Sequence, residues 1–264
     1  MEVKRQKCFE IIMKIDEGFA ILKLEPNVPN VAGFMYPVLI WDERDVVLVD
    51  AGLPGQGPRL LELISDEGVQ PDRLTKIFIT HQDMDHIGGL SFMANETNRQ
   101  GTAKTDVLSH ELEKPYIQGE KMPIKFTKEM REKLEKQLEE LPEEKRAQYQ
   151  STFGANKPAV TGAVSHGQEF DCCGGISIIH IPGHTPGHIA IYLKKYKTLV
   201  AGDALNTDGT SLIGPAPAYT YDIAQAIKSL VVLKEYDIQK IVCYHGGLLT
   251  GNINEQIEKI AQGT

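Results

Sequence analysis

The sequence predicts an α/β fold built of two similar halves that face each other, each a mixed sheet covered by helices. Apolar runs of strand length alternate with helical patterns along the chain. Two predicted hairpins also look alike, since each ends in an aspartate within two residues of a glycine, at Asp50 and at Asp203. Several polar residues directly follow predicted strands, where α/β proteins generally place their sites.

The first half begins with a predicted hairpin over 37–49, two apolar strands joined by a charged turn. Apolar residues at helical spacing follow over 60–69, and 76–80 is typical of a buried strand that leads into His81. The pair Gly88 and Gly89 is predicted to let the chain turn sharply into the next element.

The second half repeats this order. A strand over 176–181 stops at a Pro-Gly pair, and a second hairpin covers 189–201. A helix is predicted over 221–236, with apolar residues on one face. A strand over 241–244 and a closing helix over 253–260 complete the pattern.

Between the halves, about 109–150 is charged and helical in pattern, and we interpret it as an insert in a single domain over 1–264. A solvated helix, a lid over a site and a dimer contact all fit this composition. The sequence leaves these three interpretations open.

Composition limits the classes of partner. With 264 residues the chain can bury a core without metal or disulfide staples, and its net charge of -8 disfavours nucleic acid. No signal-peptide or membrane-spanning segment is evident, and the cysteines (Cys8, Cys172, Cys173 and Cys243) lack CxxC spacing. We expect a cytoplasmic monomer or homodimer that acts on a small molecule, with no nucleic-acid or membrane partner.

The strongest motif is Thr-His-Gln-Asp-Met-Asp-His-Ile-Gly-Gly at 80–89. His81, Asp83, Asp85 and His86 fall within six residues, immediately after a predicted buried strand. Histidine and aspartate together are ligands that suit a divalent metal such as zinc. A solvated polar loop is the alternative, but this spacing after a strand favours a metal site.

Three more segments place similar residues after strands. The turn Pro-Gly-His-Thr-Pro-Gly-His at 182–188 carries His184 and His188, Asp203 ends the second hairpin, and His245 follows the last strand. With these segments the chain resembles the metallo-β-lactamase superfamily, in residue order and approximate spacing, from Asp50 to His245. The glyoxalase II-type thioesterases and the lactonases are the branch it resembles most.

The resemblance implies a four-layer αβ/βα sandwich of two facing mixed sheets, with a dinuclear metal site at one edge. It implies two ligand sets that share one bridging residue. They are His81, Asp83 and His184 for the first ion, Asp85, His86 and His245 for the second, and Asp203 as the bridge. It further implies that Asp50 orients a ligand or a bound water, and we expect His188 to support the turn that carries His184.

One position departs from the family pattern. The usual motif is His-x-His-x-Asp-His, and here Asp83 replaces the second histidine. The added carboxylate makes the site less positive, so that a bound water should ionise at somewhat higher pH. We expect two divalent ions, with zinc foremost and manganese or iron favoured more than usual.

The implied activity is hydrolysis, in which a metal-bound hydroxide attacks the carbonyl of a small ester, thioester or lactone. Asp85 is the expected catalytic proton carrier, and Tyr116, Tyr219 and Tyr221 are candidate substrate contacts. A β-lactam is disfavoured because no export signal is evident. The alternatives are a phosphodiesterase or nuclease that uses the same site, a di-iron redox protein, and a non-catalytic metal-binding protein.

Overall fold

The computed structural model describes residues 12–27, 33–100, 104–143, 146 and 159–263. Seven of the described strands form the first sheet, in chain order, with antiparallel pairs as far as the fourth strand and parallel pairs beyond it. They are β1 Ile12–Asp16, β2 Phe19–Leu22, β3 Val38–Trp41, β4 Val46–Val49, β5 Leu74–Phe78, β6 Asp106–His110 and β7 Gly162–Val164.

The second sheet has the strand order β15-β14-β11-β10-β9-β8, in which only β11 and β14 run parallel. Its strands are β8 Glu169–Phe170, β9 Ile176–His180, β10 Ile189–Leu193, β11 Thr198–Gly202, β14 Lys240–Cys243 and β15 Gly247–Thr250. A small separate hairpin joins β12 Asn206–Thr207 to β13 Leu212–Ile213.

The helices are short or amphipathic and lie between or after the strands. They are α1 Gly57–Asp66, α2 Met84–Ile87, α3 Leu90–Gln100, α4 Lys114–Ile117, α5 Lys128–Glu139, α6 Ile223–Ser229 and α7 Ile253–Gln262, with 3-10 turns at Pro71–Arg73, Pro217–Tyr219 and Leu230–Glu235.

Alternating side chains along single strands explain the layers. In β4, Val46 and Leu48 pack into a cluster with α1 and α3, whereas Val47 and Val49 pack into a central cluster that includes Ile191 of the other sheet. A third apolar cluster joins the second sheet to the 3-10 turn at Leu230–Glu235 and to α7. Three apolar interfaces in this order make a four-layer sandwich of helix, sheet, sheet and helix, as predicted.

Several predicted elements differ in detail. The two hairpins form as predicted, as β3–β4 and β10–β11. The predicted helix over 221–236 is α6 followed by a 3-10 turn. Within the segment predicted as an insert, about 109–150, Ser109 and His110 end the parallel strand β6, and part of the far end lies outside the described residues.

The glycine pair of the motif forms the turn between α2 and α3, and it also serves close packing. A Cβ on Gly88 would lie 2.1 Å from the backbone nitrogen of Pro54, and one on Gly89 would lie 2.3 Å from the carbonyl oxygen of Ala51. Neither glycine has positive φ. Only a residue without a side chain lets the motif lie this close to the segment that follows β4.

No helix in the described part of the chain has the length and apolarity to cross a membrane. Cys172, Cys173 and Cys243 are buried free thiols, as expected, and Cys8 lies outside the described residues.

Candidate metal centre

The candidate site lies where strands of both sheets end. In the first sheet the turn after β5 leads into α2, and in the second sheet the residues after β9, β11 and β14 approach that turn. Their potential ligand atoms form two groups, and within each group the atoms lie within 4.8 Å of one another. The groups are His81, Asp83, His184 and Asp203, and Asp85, His86 and His245. All seven predicted ligands are therefore brought together.

The first group converges on one carboxylate oxygen. Oδ2 of Asp83 lies 3.2 Å from Nε2 of His81 and 3.1 Å from Nε2 of His184. His81 is fully buried, and the hydroxyl of Thr80 lies 3.0 Å from its Nδ1. The ring of His81 is thus held with Nε2 towards the other potential ligands.

Asp203 belongs to the first group and also lies close to two histidines of the second, a position suited to a bridging ligand. Its Oδ1 is 3.3 Å from Nε2 of His86, and its Oδ2 is 3.5 Å from Nε2 of His184 and 3.4 Å from Nε2 of His245. Nε2 of His245 also lies 3.0 Å from Oδ2 of Asp85.

Asp50 orients the motif from behind. Its buried carboxylate accepts hydrogen bonds from the backbone and hydroxyl of Thr80, and lies 2.9 Å from Nδ1 of His86. A proton on Nδ1 of His86 satisfies this contact, so that Nε2 is the nitrogen that faces the other potential ligands. Asp50 adopts a left-handed backbone conformation with φ of 63°, which an aspartate tolerates better than most residues.

His188 supports a ligand and lies behind the site. Its Nε2 accepts a hydrogen bond from the backbone nitrogen of Asp203 at 3.1 Å. Complete burial, with His81 and His184 nearby, holds the pKa of His188 well below its usual value, so that Nε2 stays an acceptor. The ring of His188 therefore supports Asp203, while its backbone bonds to Thr185 and Ile181 on either side of His184, in the turn that His188 was predicted to support.

Two supporting residues were missing from the sequence prediction. Glu113, next to α4, is fully buried and accepts hydrogen bonds from the backbone and side-chain nitrogens of Gln82 and from the backbone nitrogen of Gly187. It thereby ties the loop of His81 to the loop of His184. In the sequence it is one of many charged residues within 109–150, and nothing there distinguishes it.

Tyr244 is the second. Its hydroxyl donates to the carbonyl oxygen of Asp85 at 2.6 Å, and its ring lies against that of His86, with centroids 3.8 Å apart. The sequence showed Tyr244 only as a strand residue before His245.

Buried polar atoms test whether a cation fits this arrangement. Nε2 of His81, Nε2 of His86 and Oδ1 of Asp203 are buried, and within the described residues none has a hydrogen-bond partner. His86 and Asp203 approach closely without the alignment of a hydrogen bond. Buried polar atoms are normally satisfied. A divalent metal held by imidazole and carboxylate would satisfy all three, so these residues fit the ion that their chemistry implies.

The electrostatics also favour added positive charge. Burial alone would lower the pKa of His86, but Asp50, Asp203 and Asp85 raise it well above its usual value. Burial would likewise lower the pKa of His245, but Asp203 and Asp85 raise it to about 10. The carboxylates therefore attract protons to these rings in the metal-free chain.

The potential ligands open onto a cavity of about 630 Å³. Its lining residues are Gly33, Asp83, Asp85, His184, Asp203, Leu205, Asn206, Ala216, Tyr219 and His245. This volume suits a small molecule.

The three candidate substrate contacts are placed differently. Tyr219 lines the cavity and is largely exposed. Tyr116 and Tyr221 do not line it: Tyr116 lies near the ammonium of Lys121, and the backbone of Tyr221 donates to the carbonyl oxygen of His184.

Comparison with known proteins agrees with this geometry. The chain is 25% identical over 250 residues to "Probable metallo-hydrolase YflN" of Bacillus subtilis (strain 168), covering 88% of this chain and 87% of that protein. It is 33% identical over 79 residues to the hydroxyacylglutathione hydrolase of Rhizobium meliloti (strain 1021), covering 30% of each.

The fold matches that of a solved structure, a metallo-beta-lactamase family protein from Thermus thermophilus. The TM-score is 0.66 at 21% identity, over 95% of this chain and 80% of that one. A sequence model of the metallo-beta-lactamase superfamily matches residues 33–245. The chain belongs to the metallo-β-lactamase superfamily.

Proposed function

We propose that the chain is a metal-dependent hydrolase that cleaves a small ester, thioester or lactone at its carbonyl. The observation that carries this proposal is the set of buried imidazole and carboxylate atoms, without hydrogen-bond partners among the described residues, beside a cavity of small-molecule size. A divalent ion there would act as a Lewis acid and lower the pKa of a bound water. Zinc suits this mixture of ligands, and the three aspartates would also accept manganese or iron.

The chain's own residues supply the rest. Asp85 lines the cavity with Oδ2 next to His245, which suits it to take a proton from water and to deliver it to the leaving group. Water then adds across the acyl bond, its oxygen going to the acyl carbon and its proton to the leaving oxygen or sulfur. Tyr219, at the cavity wall, is the candidate substrate contact.

The acyl substrate class is supported by the net charge and by one relative. A net charge of -8 opposes a polyanion such as nucleic acid, and the similarity to a hydroxyacylglutathione hydrolase favours an acyl compound.

The test is a screen of thioesters, lactones, simple esters and phosphodiesters with metal-loaded and chelated protein. We expect hydrolysis of at least one acyl compound, loss of the activity on chelation and its return when metal is added. Cleavage of phosphodiesters alone would indicate the nuclease alternative. No turnover of any compound, together with unfolding on chelation, would indicate a non-catalytic metal-binding protein.

A further inference from the structure

A lysine from the helical insert reaches into the first group of potential ligands. The ammonium of Lys125, between α4 and α5, contacts Oδ2 of Asp83, lies 2.7 Å from Nε2 of His184 and donates to the carbonyl oxygen of Tyr219 at 2.9 Å. An ammonium has three donors, and these three acceptors account for all of them.

The segment that carries Lys125 is anchored to the motif. The backbone nitrogen of Ile124 donates to the side-chain oxygen of Gln82 at 2.7 Å, and Gln82 is itself held by Glu113. Lys125 is only about one-fifth exposed. This lysine is therefore positioned by contacts on both sides, unlike a surface lysine that moves freely in water.

A divalent ion in the first group would need the same two atoms. Zinc binds imidazole nitrogen and carboxylate oxygen at about 2.0–2.2 Å. An ion that close to Oδ2 of Asp83 and Nε2 of His184 would overlap the ammonium of Lys125. The metal and the lysine thus exclude each other at this position.

The charges complement each other in the same way. Asp83 stands where the family pattern has a neutral histidine, and Lys125 contacts this added carboxylate. Three aspartates in the cluster are balanced by one divalent ion together with one ammonium. The second group, by contrast, has no lysine or arginine contact among the described residues.

We infer that Lys125 is a resident cation that competes with metal for the position at Asp83 and His184. The chain then binds one divalent ion tightly, at Asp85, His86, His245 and Asp203, and a second ion much more weakly. This inference rests on the proposed metal-dependent function, and it makes the two expected metal positions unequal.

The test measures metal stoichiometry and affinity, independently of activity. The proteins compared are wild type, Lys125→Met and the control Lys121→Met, which replaces an exposed lysine in the same insert. Each protein is stripped of metal and titrated with zinc against a chromophoric chelator. The metal that each protein retains after gel filtration is then measured. In wild type and Lys121→Met we expect one retained ion, with the second binding about 10- to 100-fold more weakly, since Lys125 must leave its charged partner. In Lys125→Met we expect two retained ions of similar affinity.

Lys125→Gln keeps a polar side chain without the charge, and it serves as a second variant in case Lys125→Met does not fold. It should also retain two ions. Two equally tight ions in wild type, or one retained ion in both folded Lys125 variants, would overturn the role of Lys125 and leave the proposed function standing. Absence of any retained ion in all four proteins would overturn both.

Discussion

Glu113 provides the most quantitative prediction, because its contacts define what its removal costs. In Glu113→Ala the backbone nitrogens of Gln82 and Gly187 lose a buried carboxylate acceptor. Each buried unsatisfied group costs about 1–3 kcal/mol, so the free energy of unfolding of the metal-free protein should fall by about 2–6 kcal/mol. Glu113→Gln keeps the shape and one acceptor oxygen, and should lose about half as much.

The same substitution should weaken metal binding. Glu113 ties together two loops that carry potential ligands, and loss of such supporting contacts typically costs about 10- to 100-fold in metal affinity. Urea unfolding of chelated protein and a zinc competition titration measure the two effects. The matched control is Glu111→Ala, which removes an exposed carboxylate two residues away. If Glu113→Ala matched this control in both measurements, Glu113 would not position the loops.

Four further predictions concern the candidate ligands. Asp203→Ala and His245→Ala should each reduce turnover by at least about a hundredfold. Both variants should keep the far-UV circular dichroism spectrum and a cooperative unfolding transition. Full activity in either variant would show that the replaced residue is not part of the site. Asp83→His should still bind metal, and its zinc affinity should rise further when Lys125 is also replaced; complete loss of metal would show that the carboxylate is needed for geometry. Zinc binding at pH 7 should release protons, because the pKa values of His86 and His245 are raised in the metal-free chain and each ring must lose a proton to bind metal. The zinc affinity should therefore rise with pH. Equal calorimetric heats of zinc binding in buffers of different ionisation enthalpy would contradict this. Chelation should abolish activity without unfolding the protein, because none of the candidate metal ligands belongs to the three apolar clusters. Circular dichroism spectra recorded before and after chelation test this.

The fold could be predicted because its signals are local. Strands such as β4 and β14 are short apolar runs bounded by charged or polar residues, and the similar hairpins indicated two facing halves. The edges were harder to predict. Strands β7 and β8 have only three and two residues, too short for a periodic pattern. The helix over 221–236 tightens into a 3-10 turn, a change of hydrogen bonding that side-chain periodicity does not reveal.

The candidate site could be predicted where its residues share a motif and could not where they meet only in the fold. His81, Asp83, Asp85 and His86 are neighbours in sequence. Lys125, by contrast, lies 42 residues from Asp83, in a stretch with many other lysines and glutamates. Nothing in its sequence neighbourhood distinguishes it from Lys121. Its role follows only from its contacts.

The most direct test of the central claim is anomalous diffraction at the zinc edge from crystals grown with zinc. We predict a strong peak at about 2.0–2.1 Å from Nε2 of His86 and from Nε2 of His245, next to the carboxylates of Asp85 and Asp203. Absence of a peak there, with these side chains turned away from one another, would contradict a metal-dependent hydrolase.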